Sequence, residues 1–202
     1  MPDRWVFWEV DAQSDFMLPD GKLYVPGAEK IIPKIRQLVA AAAKSHILII
    51  SSACAHLEND PEFQVFPPHC IKGTRGAEIV PEATLEGYQR IPADDPGFAL
   101  PAGILDSRQV VIEKQVLDVF SNPNTALLVE LIGAEAAYVV FGVVTEYCVR
   151  YACDGLLDRG RRVLLVQDAI QTLNLQEGSR ALDHLRLRGT RLITTNEVLA
   201  LL

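Results

Sequence analysis

The chain has 202 residues, a formal net charge of −7 and 49% hydrophobic residues, a composition typical of a soluble globular protein. This length favours one domain, which we expect to cover residues 1–202. The absence of a basic cluster argues against nucleic-acid binding, and no apolar run is long enough to span a bilayer. The N-terminus lacks the layout of a signal peptide. The four cysteines include no CxxC pair, so we expect free thiols in a reducing cytoplasm.

Short apolar runs alternate with segments of helical periodicity along the chain. They predict strands at 5–10, 46–51, 109–112, 137–141, 162–166 and 192–194, and helices at 28–44, 124–132, 148–158, 177–188 and 197–202. Apolar runs without alternation are typical of parallel strands buried on both faces. We therefore predict an α/β fold of three α-β-α layers with a mainly parallel six-stranded sheet. Residues 81–107, rich in proline and glycine, are expected to form a long loop or insertion.

Several reactive residues directly follow predicted strands. These are Asp11, the segment Cys54–His56, Lys114, Cys148 and Asp168. Ligands of open parallel sheets bind at the carboxyl ends of the strands, so we expect these side chains to meet there. Each has an ordinary alternative when taken alone: Asp11 as a strand cap, Lys114 as a solvated lysine and Cys148 as a small apolar residue. Their joint placement favours a functional site.

These residue types are suited to nucleophilic catalysis. Cys148 should lie in the first turn of a helix, where the helix dipole favours the thiolate, which is the nucleophilic form. Asp11 can accept the thiol proton and return it to a leaving group. Lys114 can stabilise both ionised forms. The backbone N–H groups of residues 144–148 can form an oxyanion hole.

Three dispersed motifs resemble the isochorismatase-like cysteine hydrolases, and most closely the nicotinamidases. They are Asp11-x-Gln13-x-Asp15-Phe16, Lys114 and Gly142-Val143-Val144-Thr145-x-x-Cys148-Val149. The resemblance runs from about residue 5 to the C-terminus and implies the isochorismatase-like hydrolase fold. It implies a catalytic triad in which Asp11 is the base, Lys114 the charge partner and Cys148 the nucleophile that forms a thioester.

The same resemblance implies a cis peptide between Val143 and Val144, which directs the amides of Val144 and Cys148 at the oxyanion. Members of the family commonly assemble, so a homo-oligomer is expected. True isochorismatases tend to lack the cysteine at this position. Cys148 therefore favours amide hydrolysis.

The resemblance extends to a metal site, with one departure. Nicotinamidases hold a metal ion beside the triad with an Asp-x-His pair and a later histidine, and the metal orients the pyridine nitrogen of the substrate. Here Cys54-Ala55-His56 occupies the Asp-x-His position, Glu62 a third position and His69 the last. A thiolate is softer than a carboxylate, so this set favours zinc as a divalent metal cofactor. The alternative is that the metal is lost and the histidines only form hydrogen bonds.

By the same resemblance, Gln13, Phe16, Phe66 and Phe120 are assigned to the substrate pocket, although each phenylalanine also suits a core position. The 81–107 segment is expected to cover the site or a subunit interface. The predicted function is a cysteine amidohydrolase that cleaves a small, nicotinamide-like carboxamide to the acid and ammonia. An N-carbamoyl or ureido amidohydrolase and a non-catalytic α/β binding module stay open as alternatives.

Overall fold

A computed structural model describes residues 4–95 and 97–202. Its strands are β1 Arg4–Val10, β2 Leu48–Cys54, β3 Gln89–Ile91, β4 Gln109–Lys114, β5 Ala136–Val143, β6 Arg162–Gln171 and β7 Arg191–Ile193. Its α-helices are α1 Ser14–Met17, α2 Ile32–Lys44, α3 Pro123–Ile132, α4 Arg150–Asp158, α5 Leu175–Leu187 and α6 Thr195–Leu201. None of the helices in these two ranges is long and apolar enough to cross a membrane.

In the described part of the chain, one sheet holds seven strands in the order β3-β4-β2-β1-β5-β6-β7, and all their pairings are parallel. The predicted α/β class is confirmed, whereas the predicted number of six strands was wrong. The additional strand, β3, lies inside the 81–107 segment and pairs Arg90 with Val111 at the sheet edge. Two of its three residues are polar and Pro92 follows it, so no apolar run marks it in the sequence.

Two apolar layers bury the sheet on its two faces. Successive side chains of a strand point to opposite faces, so Phe7 of β1 joins one layer while Trp8 joins the other. Residues of α2 and α6 complete the first layer, and residues of α3, α4 and α5 complete the second. The sheet is therefore the middle of three layers, as predicted.

Strand β6 is longer than the predicted run of 162–166. It continues to Gln171, after a register shift opposite Val140 and Gly142 of β5. Asp168 therefore lies within β6, where its Oδ1 accepts a hydrogen bond from the Thr195 amide at 2.7 Å and its Oδ2 lies 3.4 Å from Lys34 Nζ. The prediction that Asp168 shares the functional edge of the sheet was wrong.

The 81–107 segment is attached to the sheet edge by buried side-chain amides. The Gln109 side chain donates to Ala83 O at 2.9 Å and accepts from the Leu85 amide at 2.7 Å. Asn122 donates to the Pro92 carbonyl at 3.0 Å. These contacts hold parts of the segment against β4 and the residues that follow it.

The strand order reverses next to β1, because β2 and β4 lie on one side of β1 and β5 on the other. Ligand crevices of open α/β sheets form at such a reversal, outside the carboxyl ends of the strands. Gly142 of β5 has φ 121°, and a Cβ there would lie 2.1 Å from the Val10 carbonyl oxygen. Only glycine permits this close approach of β5 to β1.

Candidate active site

Three of the sequence-predicted residues converge beside the crevice between β1 and β5. Asp11 follows β1, Lys114 is the last residue of β4, and Cys148 lies in the turn after β5. The Lys114 Nζ atom is 2.9 Å from Asp11 Oδ2 and 3.4 Å from Cys148 Sγ. Asp11 and Lys114 are each 1% exposed and Cys148 is 6% exposed. One buried ammonium therefore contacts both the carboxylate and the thiol.

The backbone around Asp11 directs its carboxylate toward Lys114. Asp11 has φ 49°, in the left-handed region that non-glycine residues rarely adopt. The bend is held by the Ala12 amide, which donates to Glu9 Oε1 at 2.6 Å, and by the Asp11 amide, which donates to Ser52 O at 3.0 Å. Asp11 Oδ1 has no hydrogen-bond partner within residues 4–95 and 97–202. Burial raises the pKa of Asp11, and Lys114 opposes that rise, which suits a group that takes up and returns a proton.

The turn after β5 contains the cis peptide between Val143 and Val144 that the family resemblance implies. Residues Thr145–Val149 then form one wide helical turn before α4 begins at Arg150. Cys148 lies in this turn, which runs directly into α4. The prediction that Cys148 lies in the first turn of a helix after the strand is therefore confirmed, although that turn is wider than an α-helical one. The Val144 carbonyl accepts the amides of Tyr147 and Val149, each at 3.1 Å. The Val144 amide itself donates to no backbone or side-chain acceptor in the described ranges.

Sequence reasoning missed Glu146, which fixes this turn. Its buried carboxylate accepts the amides of Leu173 and Asn174 at 3.0 and 2.8 Å and the hydroxyl of Thr172 at 2.5 Å. These bonds hold the segment after β6 against the turn that carries Cys148. The hydrogen-bond partners of Glu146 lie more than twenty residues away in sequence. The local sequence pattern therefore could not predict these hydrogen bonds.

The four residues predicted to bind a metal also lie together. The ligand atoms of Cys54, His56 and His69 are all within 4.8 Å of one another. Glu62 Oε1 lies 3.9 Å from the Nε2 atoms of both histidines. His56 Nδ1 is 2.9 Å from Asp60 Oδ2, and His69 Nδ1 is 2.8 Å from the carbonyl of residue 67. Each Nδ1 is thus engaged behind the cluster, as in histidines that present Nε2 to a metal.

The chemistry of this cluster fits a zinc ion. His56 Nε2 is buried and has no hydrogen-bond partner in the described residues. A nitrogen atom that can bind a metal therefore lies without a partner inside the cluster. Burial by itself would lower the pKa of His56, but the neighbouring Cys54 and Asp60 raise this pKa to about 9. The negative charge of these neighbours therefore favours a positive charge in the cluster. Either a proton on His56 or a bound metal cation can supply that charge. One sulfur, two imidazole nitrogens and a carboxylate are ligands that zinc accepts in four-coordinate sites.

Cys54 belongs to both groups of residues. Its Sγ lies 2.9 Å from Lys114 Nζ and 3.8 Å from Asp11 Oδ2. Hydrogen bonding from Cys148, together with the charge of Lys114, lowers the pKa of Cys54 well below its usual range despite burial. The same hydrogen bond and burial raise the pKa of Cys148. Between the two thiols, the negative charge therefore favours Cys54.

Gln13 explains how Cys54 is held. The Gln13 side chain accepts the Cys54 amide at 2.7 Å and donates to the carbonyls of Cys54 and Ala77, each at 2.8 Å. It is fully buried, and the groups it contacts are backbone groups. The prediction that Gln13 forms a wall of the substrate pocket was wrong, because its amide joins the end of β2 to the 74–78 region.

A small pocket opens over the two thiols. Phe16 and Phe66 line it, as predicted, and the Phe66 ring meets the Tyr147 ring edge-on at 5.7 Å. Its walls also include apolar residues that the sequence did not single out, namely Leu23, Leu117, Val143, Tyr147 and Leu173. Among the described residues of 81–107 none lines the pocket, so the expectation that this segment covers the site finds no support in the fold.

Phe120 lies elsewhere. Its ring stacks on Trp8 with centroids 6.0 Å apart, in the apolar layer on one face of the sheet. The Arg159 guanidinium lies 4.1 Å from the centroid of the ring. The prediction of Phe120 as a pocket wall was wrong, and its role is packing.

Comparisons with known proteins show which family and fold this chain resembles. The sequence model of the isochorismatase domain family matches residues 9–91 and 88–197. A nicotinamidase of Acinetobacter baylyi is 27% identical over 209 residues, which cover 94% of this chain and 92% of that protein. The crystal structure of pyrazinamidase of Pyrococcus horikoshii in complex with zinc has a TM-score of 0.77 and 28% identity, and the match covers 95% of this chain and 99% of the other.

N-carbamoylsarcosine amidase from Thermoplasma acidophilum has a TM-score of 0.73 over 95% of this chain and 96% of its own. At 20% identity, this likeness shows the fold alone. Together the structural likenesses confirm the fold that the sequence motifs imply.

Proposed function

We propose that this chain, which belongs to the isochorismatase domain family, is a cysteine amidohydrolase that converts a small carboxamide to the acid and ammonia. The observation that carries the proposal is the contact of Lys114 Nζ with Asp11 Oδ2 at 2.9 Å and with Cys148 Sγ at 3.4 Å, at the base of a pocket. Similarity to the nicotinamidase of A. baylyi favours a nicotinamide-like carboxamide.

The first half of the reaction forms a thioester. The Cys148 thiol gives its proton to Asp11, and the thiolate attacks the amide carbon, so that a C–S bond forms while the carbonyl electron pair moves onto oxygen. The amides of Val144 and Cys148 donate hydrogen bonds to this oxyanion. When the C–N bond breaks, Asp11 returns the proton to the departing nitrogen, and ammonia leaves. Lys114 stays protonated and stabilises the carboxylate and the thiolate.

The second half releases the acid. Asp11 removes a proton from a water molecule, whose oxygen attacks the thioester carbon. The resulting oxyanion occupies the same pair of amides. Its collapse breaks the C–S bond, and the Cys148 sulfur takes back the proton from Asp11, which restores the starting state.

The lining of the pocket favours an uncharged, flat substrate. The side walls are aromatic and aliphatic, with Phe16, Phe66 and Leu173 among them, and no arginine lines the pocket within the described residues. A substrate carboxylate would therefore lose hydration without gaining a guanidinium partner. This argues against N-carbamoyl amino acids, which carry such a group, and for a small carboxamide with one ring.

We further propose that Cys54, His56, Glu62 and His69 hold one zinc ion, on the strength of the unpartnered His56 Nε2 and the mixed sulfur, nitrogen and oxygen donors. When bound, zinc would supply a Lewis acid next to the pocket. Elemental analysis of the purified protein should find about one zinc per chain. A content far below that would remove these four residues from the site.

The amidohydrolase proposal is tested by ammonia release from a panel of nicotinamide, aliphatic carboxamides and N-carbamoyl amino acids. We expect turnover of the heteroaromatic amide, loss of turnover in Cys148→Ala with an unchanged melting temperature, and an acyl adduct on Cys148 when the wild-type reaction is quenched and analysed by mass spectrometry. Cys153→Ala is the matched control, because Cys153 is a buried thiol packed in the core rather than in the pocket. Turnover that survives Cys148→Ala would refute the thioester mechanism, and absence of turnover on the whole panel would favour a binding module.

A further inference from the structure

Two of the four cysteines share one hydrogen-bond donor. Lys114 Nζ donates to Cys54 Sγ at 2.9 Å and to Cys148 Sγ at 3.4 Å. Both cysteines are free thiols, and both line the pocket. Cys70 and Cys153 are also free and buried, but neither lines the pocket. A small molecule that enters the pocket therefore meets two adjacent sulfurs.

The proposed amidase chemistry uses only one of these sulfurs. Cys148 supplies the nucleophile, whereas the proposed metal site would work with an oxygen ligand at position 54 as well as with sulfur. What a thiol at position 54 adds is redox chemistry with its neighbour, which a carboxylate cannot perform. Lys114 Nζ donates to the Cys54 sulfur at 2.9 Å, and a sulfur that lies beside a buried cation and faces the pocket is placed to react with a peroxide.

We propose that Cys54 and Cys148 form an intramolecular disulfide when a small hydroperoxide enters the pocket, and that this protects Cys148 from irreversible oxidation. One thiolate of the pair attacks a peroxide oxygen, the O–O bond breaks, and a sulfenic acid forms as the alcohol or water leaves with a proton. The second thiol then attacks that sulfur, an S–S bond forms, and the S–O bond breaks to release water. The peroxide gains the two electrons that the two cysteines lose, and a thiol reductant can restore both.

The cross-link has consequences for both halves of the site. A disulfide requires the two sulfurs to bond to each other, which removes Cys148 as a nucleophile and Cys54 as a zinc ligand. Oxidation should therefore lower zinc binding as well as turnover. Bound zinc should in turn slow the cross-link, because it occupies the sulfur of Cys54. The cross-link itself is independent of the proposed amidase function, and only the loss of turnover rests on it.

The test exposes metal-free and zinc-loaded protein to hydrogen peroxide, blocks remaining thiols by alkylation, and maps the products by mass spectrometry. In wild-type protein we expect a peptide cross-linked between Cys54 and Cys148, loss of two hydrogen atoms from the intact mass, and recovery by dithiothreitol. Cys54→Ser should give no cross-link, and its Cys148 should proceed to the sulfinic acid several-fold faster than in wild type. Cys54→Ala serves as a second variant, and Cys153→Ala is the control that should behave as wild type.

Two results would overturn this inference. One is sulfinic acid on Cys148 at equal rates in wild type and Cys54→Ser with no cross-linked peptide. The other is a cross-link that joins Cys148 to Cys70 as readily as to Cys54. If the cross-link forms but no amide is hydrolysed, the amidase proposal fails and this one stands, so the two can be distinguished.

Discussion

Glu9 should make the stability of this protein fall as the pH rises from about 4.5 to about 8. The Glu9 side chain is fully buried, its Oε1 accepts the Ala12 amide at 2.6 Å, and its Oε2 has no partner in the described residues. Burial raises the pKa of Glu9 from 4.5 to about 8, while the hydrogen bond from the Ala12 amide opposes that rise. Near neutral pH the folded chain therefore keeps Glu9 protonated beneath the bend that orients Asp11.

The sign of the effect follows from proton binding in the two states. Between these two pKa values the unfolded chain has lost the Glu9 proton and the folded chain has kept it, so unfolding releases a proton. The free energy of unfolding then decreases by about 1.4 kcal/mol for each pH unit. Over the whole window Glu9 contributes a decrease of roughly 5 kcal/mol, after which its contribution is constant.

Glu9→Gln isolates this contribution. Glutamine cannot ionise, yet its carbonyl oxygen can still accept the Ala12 amide. The free energy of unfolding of both proteins is measured by urea denaturation across this pH window. Relative to wild type, the value for Glu9→Gln should increase by several kcal/mol from the acid end to the basic end. Glu86→Gln is the control, because Glu86 is exposed, and its curve should run parallel to that of wild type. Parallel curves for Glu9→Gln as well would refute a protonated, buried Glu9.

Three further substitutions test other parts of the site. Lys114→Met should reduce ammonia release by a factor of about 10² or more and destabilise the fold by about 3 kcal/mol or more in chemical denaturation, because it leaves Asp11 buried without its counter-charge. Gly142→Ala should lower the melting temperature far more than Gly160→Ala. Both glycines have positive φ, but of the two only a Cβ at Gly142 would meet neighbouring atoms. Equal decreases in melting temperature would contradict the close approach of β5 to β1. Cys54→Asp should weaken zinc binding relative to manganese in a competition measured by elemental analysis, since a carboxylate is a harder ligand than a thiolate, and an unchanged preference would argue that Cys54 is not a ligand.

The positions of the three central residues were predictable because of the parallel sheet. Asp11, Lys114 and Cys148 each follow an apolar run, and strands of one parallel sheet end at the same edge. These residues converge because β4, β2, β1 and β5 are neighbours in the sheet. The apolar runs also predicted three layers, since strands without alternation must be covered on both faces.

The departures arise where tertiary contacts outweigh the local pattern. β3 has no apolar run and exists because β4 offers it an open edge. β6 continues past its predicted end because a register shift lets it follow β5, and this extension moves Asp168 away from the site. Phe120 is aromatic and lies close to Lys114 in sequence. It nevertheless packs against the Trp8 ring on one face of the sheet rather than lining the pocket. None of these partners can be inferred from neighbouring sequence.

The departure of greatest consequence is Cys54, because it couples two sites that the sequence presents as separate. Lys114 supplies one buried positive charge, and Asp11, Cys54 and Cys148 all lie around it. Several anions cannot be buried beside a single cation without a large loss of solvation energy. A zinc ion held by Cys54 and the two histidines would neutralise the charge of Cys54. Lys114 could then stabilise the Asp11 carboxylate and, once the thiol proton has moved to Asp11, the Cys148 thiolate. Substitutions at position 54 should therefore change the reactivity of Cys148 even though Cys54 takes no part in the bonds that the amidase reaction makes and breaks.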